Sequence, residues 1–219
     1  MRPHIAFLHT SPVHVATFES LVSAAAPGVK VEHIVAEDLL ADAQTAGAAD
    51  PALVVRIQNA MVAAAAKGAS VVACTCSTIG GAAEKTDTGG QFIATRIDRA
   101  MADRVVKLGP RILLVAALES TLQPTTDLVR ESALALNTQV DIQRLLVADA
   151  WAHFVNGDLP AYFDAIAKAV RPAAKGVDVI VLAQASMAPA AESLSDLGVE
   201  ILSSLVWACK VCWHESNPK

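Results

Sequence analysis

Aromatic side chains are scarce in this chain, at 4% of 219 residues with a single tyrosine. Its 53% hydrophobic content therefore rests on alanine and the aliphatics, which suits many closely packed helices. Charged residues are also few, at 18%, and that excludes a disordered chain, which needs high charge and low hydrophobicity. Cationic excess is lacking: 17 Lys and Arg face 22 Asp and Glu, for a net charge of −5 with no basic cluster. Nucleic-acid binding has no electrostatic support. An anionic ligand would have to be held by local donors rather than by the overall field.

Long apolar runs are missing too. The start "MRPHIAFLHTSP" has an apolar run of about six residues, too short for a secretory leader. "MVAAAAKGASVVAC" is broken by Lys67, Gly68 and Ser70, so no membrane span is expected. Without an export signal the expected location is the cytoplasm, where the four cysteines, Cys74, Cys76, Cys209 and Cys212, stay thiols. "CKVC" (209–212) has no second Cys/His set at ligand spacing, so no metal site is expected and two packed thiols on one helix face are. "GGAAEKTDTGG" (80–90) lacks the Lys-Ser/Thr ending of a phosphate loop and reads as a mobile loop, a candidate lid. No cofactor motif is present.

What is there is an alternation of strands and helices. "HIAFLH" and "VKVEHIVA" read as strands, with a helix between them that Thr10 or Ser11 caps and Pro12 opens. "DPALVVRIQNAMVAAAAKG" reads as a helix capped by Asp50 and ended by Gly68. "ASVVACT" and "QFIATR" are short strands, and "IDRAMADRVVKLG" is a helix that Asp98 caps. The pattern then restarts: strand "RILLVAAL", helix "TLQPTTDLVRESALAL", strand "QVDIQRLLV", helix "DLPAYFDAIAKAVRPAAKG" and strand "VDVIVLAQAS". Such an order marks an α/β chain with parallel sheets covered by helices.

The halves repeat at an offset of 108, which places Lys67-Gly68 on Lys175-Gly176, "SVVACTCST" on "DVIVLAQAS", and Ile93 on Ile201. The expected fold is two pseudo-symmetric α/β halves with a ligand cleft between them: residues 1–108 with a C-terminal helix at 206–219, and residues 109–205. Ligands of such sheets sit at the carboxyl ends of the strands. Those ends read "HTSP", "CTCSTIGG", "LESTLQPT" and "AQASMAP". His9, Ser11, Ser77, Thr78, Thr121, Ala185 and Ser186 are the candidates there, with helix N-termini after Ser11 and Thr121 offering N–H groups to a carboxylate. Taken singly, the hydroxyls also suit caps and turns, and Glu119 suits a solvated loop.

With Cys76-Ser77-Thr78 at a strand end, two α/β halves, "RIDRAMADRVV" and "ILLVAALESTLQPT", the chain resembles the aspartate/glutamate/hydantoin racemase superfamily. The resemblance implies a catalytic cysteine at the end of a corresponding strand in each half, a first motif Cys-Asn-Thr and a second Gly-Cys-Thr. Cys76 fits the first, with Ser77 in place of Asn. Cys74 lies two residues inside the strand and matches Leu182, so packing is its expected role. The second motif is replaced by Ala183-Gln184-Ala185.

Racemisation removes a proton alpha to a carboxylate and returns it from the opposite face, so it needs two acid/base groups and dense hydrogen-bond donors. A thiol of ordinary pKa about 8.5 can serve when its surroundings lower it. Gln184 exchanges no proton, which excludes a symmetric two-thiol mechanism. Three enzymatic options remain. Cys76 alone protonates the carbanion left by decarboxylation of a malonate-type acid; Cys76 attacks an unsaturated acid, as in the related maleate isomerases; or His9 supplies a second base, with Gln184 binding the substrate. A fourth reading is a small-molecule binding protein that kept the fold and lost catalysis. The expected partner is a small carboxylate, with no metal and no cofactor, and an Ala-rich surface helix could support a homo-oligomer.

Overall fold

The computed structural model describes residues 4–205, which divide into two compact units, residues 4–98 and 99–205. The segment 206–219, with Cys209 and Cys212, lies outside the described residues.

The first unit contains β1 (His4–His9), α1 (Val15–Ala25), β2 (Lys30–Val35), α2 (Glu37–Ala46), α3 (Pro51–Ala65), β3 (Val71–Cys74), α4 (Gly80–Glu84) and β4 (Ile93–Arg96). The second contains α5 (Arg99–Val105), β5 (Arg111–Ala116), α6 (Glu119–Ala135), β6 (Asp141–Leu146), α7 (Ala148–Val155), α8 (Leu159–Ala173), β7 (Val179–Leu182), a 3-10 stretch (Ala185–Leu197) and β8 (Glu200–Ser203). Each holds one four-stranded, all-parallel sheet, in the orders β2-β1-β3-β4 and β6-β5-β7-β8. The expected repeat of one α/β unit is what the two strand orders describe.

The sequence explains the layering. β1, β3 and β7 are buried along their whole length and read as apolar runs, because helices cover both faces of a parallel sheet. The edge strands β2 and β6 keep exposed positions. On α3, Leu53, Ile57, Met61 and Ala64 recur at helical spacing and are buried beneath Ala6, Leu8, Val72 and Cys74. Tyr162, Ile166 and Val170 of α8 do the same against Leu113, Val115, Ile180 and Leu182. Each buried Leu, Ile, Val or Met among them stabilises its unit by roughly 1.5–3 kcal/mol. Asp50 Oδ1 accepts the Leu53 N–H at 2.9 Å, and Asp158 Oδ1, one repeat later, accepts that of Ala161 at 3.2 Å. Gly68 and Gly176 take positive φ, +100° and +80°, beyond the helices those caps begin.

Several expectations are corrected. α1 starts at Val15 rather than at Pro12, because Pro12–His14 forms a 3-10 turn whose cap, Ser11, makes no side-chain hydrogen bond. The Gly80–Gly90 segment is not a free loop throughout: Gly80–Glu84 is helical, with Gly80 and Ala83 buried. Ile93 is not the counterpart of Ile201, since Val71 pairs with Ile93 and Val179 with Glu200. The offset is one residue shorter by the last strand because the loops before it differ in length. α2, α7 and the 3-10 stretch have no sequence expectation behind them. α5 packs against α6 and β8 and belongs to the second unit, which begins at Arg99.

Candidate active site

β3 ends on Cys74, whose row runs from Leu8 on β1 to Arg96 on β4. Beyond it the chain makes a short polar turn into α4. Cys76 is the one partly exposed residue between Val71 and Gly80; its neighbours Thr75, Ser77 and Thr78 are buried. Cys74 is 1% exposed and packs with the α3 core, as its apolar counterpart Leu182 implied. Burial pushes its thiol far above the ordinary range, the neighbouring Cys76 adds to that shift, and its Sγ lies 3.6 Å from the Cys76 carbonyl oxygen.

The turn rests on an ion pair that the sequence reading missed. Arg96, 2% exposed, donates from Nε and Nη2 to the two carboxylate oxygens of Asp98 at 2.6 and 2.9 Å. Its Nη2 also donates to the Ser77 carbonyl at 3.2 Å. Asp98, the expected helix cap, directly precedes α5, and its carboxylate is the partner of this buried guanidinium. The signal was present in "RID": two opposite charges two apart at a strand end share a face. Gly80 lies directly on the guanidinium, and a Cβ there would sit 2.9 Å from Arg96 Nε.

His9 closes β1 and is fully buried. Its Nδ1 lies 2.8 Å from Thr75 Oγ1, and its Nε2 lies 2.8 Å from His33 Nδ1 on β2. His33 Nε2 in turn reaches Glu19 Oε2 of α1 at 3.0 Å. The His9 and His33 rings stack at 5.1 Å, and Phe7 and Phe18 pack against them. Burial, then the neighbouring His33 and His14, pull the His9 pKa down from 6.5 to about 3. His9 is thus a neutral ring with both nitrogens engaged inside its own unit. Thr75, His33 and Glu19 were not singled out, because their meeting depends on the β1–β2 register and the α1 crossover, which no local pattern announces.

In the second unit the strand end carries Gln184. Its Oε1 accepts the Ala117 N–H at 2.6 Å, joining the ends of β7 and β5. Ala185 is buried and opens the 3-10 stretch. Ser186 Oγ lies 2.9 Å from the Tyr162 hydroxyl, which burial pushes up to about 12. Thr121 was expected beside a helix N-terminus; it lies inside the first turn of α6, 1% exposed, and the helix is entered from Leu118. Glu119 is the exposed first residue of that helix. Among the described residues no group of three His, Cys, Asp or Glu is placed to hold a metal ion, and no helix is long and apolar enough to cross a membrane.

No family model and no curated protein matches the chain. Solved structures do. An aspartate racemase from Picrophilus torridus superposes with a TM-score of 0.70 at 13% identity, over 99% of this chain and 94% of that one. Allantoin racemase from Pseudomonas fluorescens gives 0.61 at 16% identity, over 96% and 89%. A cysteine-substituted arylmalonate decarboxylase gives 0.59 at 16%, over 99% and 97%. At such identities the likeness is one of fold, and the chain therefore has the two-sheet α/β fold of the aspartate, glutamate and hydantoin racemase structures, as the sequence resemblance implied.

Proposed function

We propose that this protein is an isomerase-type enzyme that transfers a proton at the carbon alpha to a carboxylate of a small acid, with Cys76 as its acid/base group. The observation that carries the reading is the placement of Cys76. It is a partly exposed thiol among buried neighbours, just past the carboxyl end of an inner strand, where ligands of parallel sheets bind. The names of the structures sharing the fold, racemases and a decarboxylase, agree with carbon-acid chemistry. A thiol can give and take the proton itself, so the reading calls for neither metal nor cofactor. Ser77 and Thr78, in the same turn as Cys76, are the hydroxyls proposed for the carboxylate, whereas Thr121 and Ser186 lie in the second unit.

One specific observation favours a single proton transfer over racemisation. Gln184, at the position matching Cys76 in the repeat, has no exchangeable acid/base proton, and its oxygen already accepts the Ala117 N–H. In that version CO₂ leaves a malonate-type acid, the bond's electron pair stays on carbon, and the Cys76 S–H proton quenches it.

The test is deuterium incorporation followed by NMR, for the protein and for Cys76→Ala, with amino acids, hydantoins, malonates and maleate in D₂O. Cys76-dependent deuterium at Cα with the carbon skeleton intact means a racemase. Cys76-dependent CO₂ loss means the single-transfer enzyme, and cis–trans change means covalent isomerisation. Binding without reaction, equal in both proteins, would overturn catalysis and leave a binding protein of the same fold.

A further inference from the structure

We infer that Glu19, His33, His9 and Thr75 form a proton relay running from solvent at α1 to the end of β3, one residue before Cys76. The inference rests on the proposed proton-transfer reading, because a thiol that surrenders its proton each turnover must recover one from water.

Four side chains from three different elements and the β3 turn make three consecutive contacts of 2.8, 2.8 and 3.0 Å. One end is wet, since the Glu19 side chain is 60% exposed, and the other is Thr75, 3% exposed. Between them His9 is sealed, stacked on His33 and edged by Phe18. A ring kept only for packing in such a place would be replaced at no loss by an apolar one; this ring has a partner on each nitrogen.

The contacts fit two proton arrangements of the same atoms. In the first, Glu19 is protonated and donates to His33 Nε2, His33 Nδ1–H donates to His9 Nε2, and His9 Nδ1–H donates to Thr75 Oγ1. The Thr75 hydroxyl then donates to the Leu8 carbonyl, which lies 3.3 Å away. In the second, Thr75 O–H donates to His9 Nδ1, His9 Nε2–H to His33 Nδ1, and His33 Nε2–H to the Glu19 carboxylate. Moving from the first to the second shifts one proton along each contact, and the original Thr75 hydroxyl proton, turned away from the Leu8 carbonyl, passes to the Cys76 thiolate that the reaction has left without its proton. The negative charge leaves that acceptor and appears on Glu19; Glu19 takes a new proton from water, and both rings return their N–H from Nε2 to Nδ1 before the next turnover. Both rings are neutral before and after, and the depressed pKa of His9 agrees with a ring that never holds a full positive charge. The titratable groups facing His9 are His33 on β2 and His14 on the 3-10 turn, and Glu19 faces His33 from α1.

The experiment uses the full-length protein, with ¹⁵N-labelled histidine, and three variants: Glu19→Gln, Glu19→Asp and His33→Asn. Ring-nitrogen NMR should show His9 neutral from pH 7 down to about 4, with a shift at its nitrogens when Glu19 becomes Gln. A doubly protonated His9 at neutral pH, or one indifferent to Glu19→Gln, overturns the relay. In turnover of whichever panel acid shows Cys76-dependent reaction, Glu19→Gln should lower kcat about tenfold or more with KM unchanged. Glu19→Asp should recover part of it. Unchanged kcat in Glu19→Gln and His33→Asn overturns the relay while leaving Cys76 chemistry standing. If no acid reacts, the proton-transfer reading fails separately, and the ring spectra alone decide the relay.

Discussion

Gln184 Oε1 accepts the backbone N–H of Ala117 at 2.6 Å, so the side chain found at the repeat position of Cys76 is a brace between two strand ends. Replacing it with Ala leaves a partly buried donor without that partner, which costs about 1–3 kcal/mol. Urea denaturation should show the Gln184→Ala midpoint lowered accordingly, while Gln184→Glu, which keeps an acceptor in place, falls much less. Equal losses in both would contradict the brace.

Cys74 and Cys76 should differ sharply as reagents. Iodoacetamide at pH 8 should alkylate Cys76 in the native protein and leave Cys74 intact until denaturant is added, because burial both blocks Cys74 and disfavours its thiolate. Peptide mapping by mass spectrometry reads the two sites separately. Cys76→Ala should lower Cys76-dependent exchange by about 100-fold or more, whereas Cys74→Ala retains it.

The Arg96–Asp98 pair should be costly to break from one side. Asp98→Asn leaves a buried guanidinium without its counter-charge, a loss of about 3–5 kcal/mol. Gly80→Ala forces a Cβ to 2.9 Å from Arg96 Nε, and overpacking of that kind costs roughly 1–3 kcal/mol. The backbone at Gly80 is helical, so the penalty is steric rather than conformational. Calorimetry of the two variants measures both losses, and an unshifted Tm in Gly80→Ala would show that the guanidinium moves freely.

Acid should destabilise the protein through His9. Its folded-state pKa of about 3 lies below the ordinary 6.5, so below pH 6.5 the unfolded chain binds a proton that the folded chain refuses. The stabilisation is full above pH 6.5 and is lost as the pH falls toward 3, at up to about 1.4 kcal/mol per pH unit for one histidine. Burial lowers the His14 pKa as well and adds a loss of the same sign. Urea midpoints measured between pH 4 and 7 should fall with acid, and His9→Gln should flatten the curve. A curve equally steep in that variant would assign the loss elsewhere.

The sequence by itself determined the parts that local rules govern. Asp50-Pro51 starts a helix and Gly68 follows its end because caps and left-handed glycines act within one turn of chain. β3 and β7 were visible as apolar runs, and their offset of 108 exposed the repeat and the Cys74–Leu182 match. The same offset singled out Cys76 and the replacement at Gln184. Only the tertiary structure decided what those residues touch. His9 meets Thr75 and His33 because three parallel strands, joined by crossovers of more than a dozen residues, fall into one particular register. Arg96 and Asp98 are neighbours in sequence, yet their role as the buried support of the Cys76 turn depends on β4 lying beside β3 with Gly80 above it. Register and helix docking are set by many weak, distant contacts summed over a core, and no short stretch of sequence carries that sum.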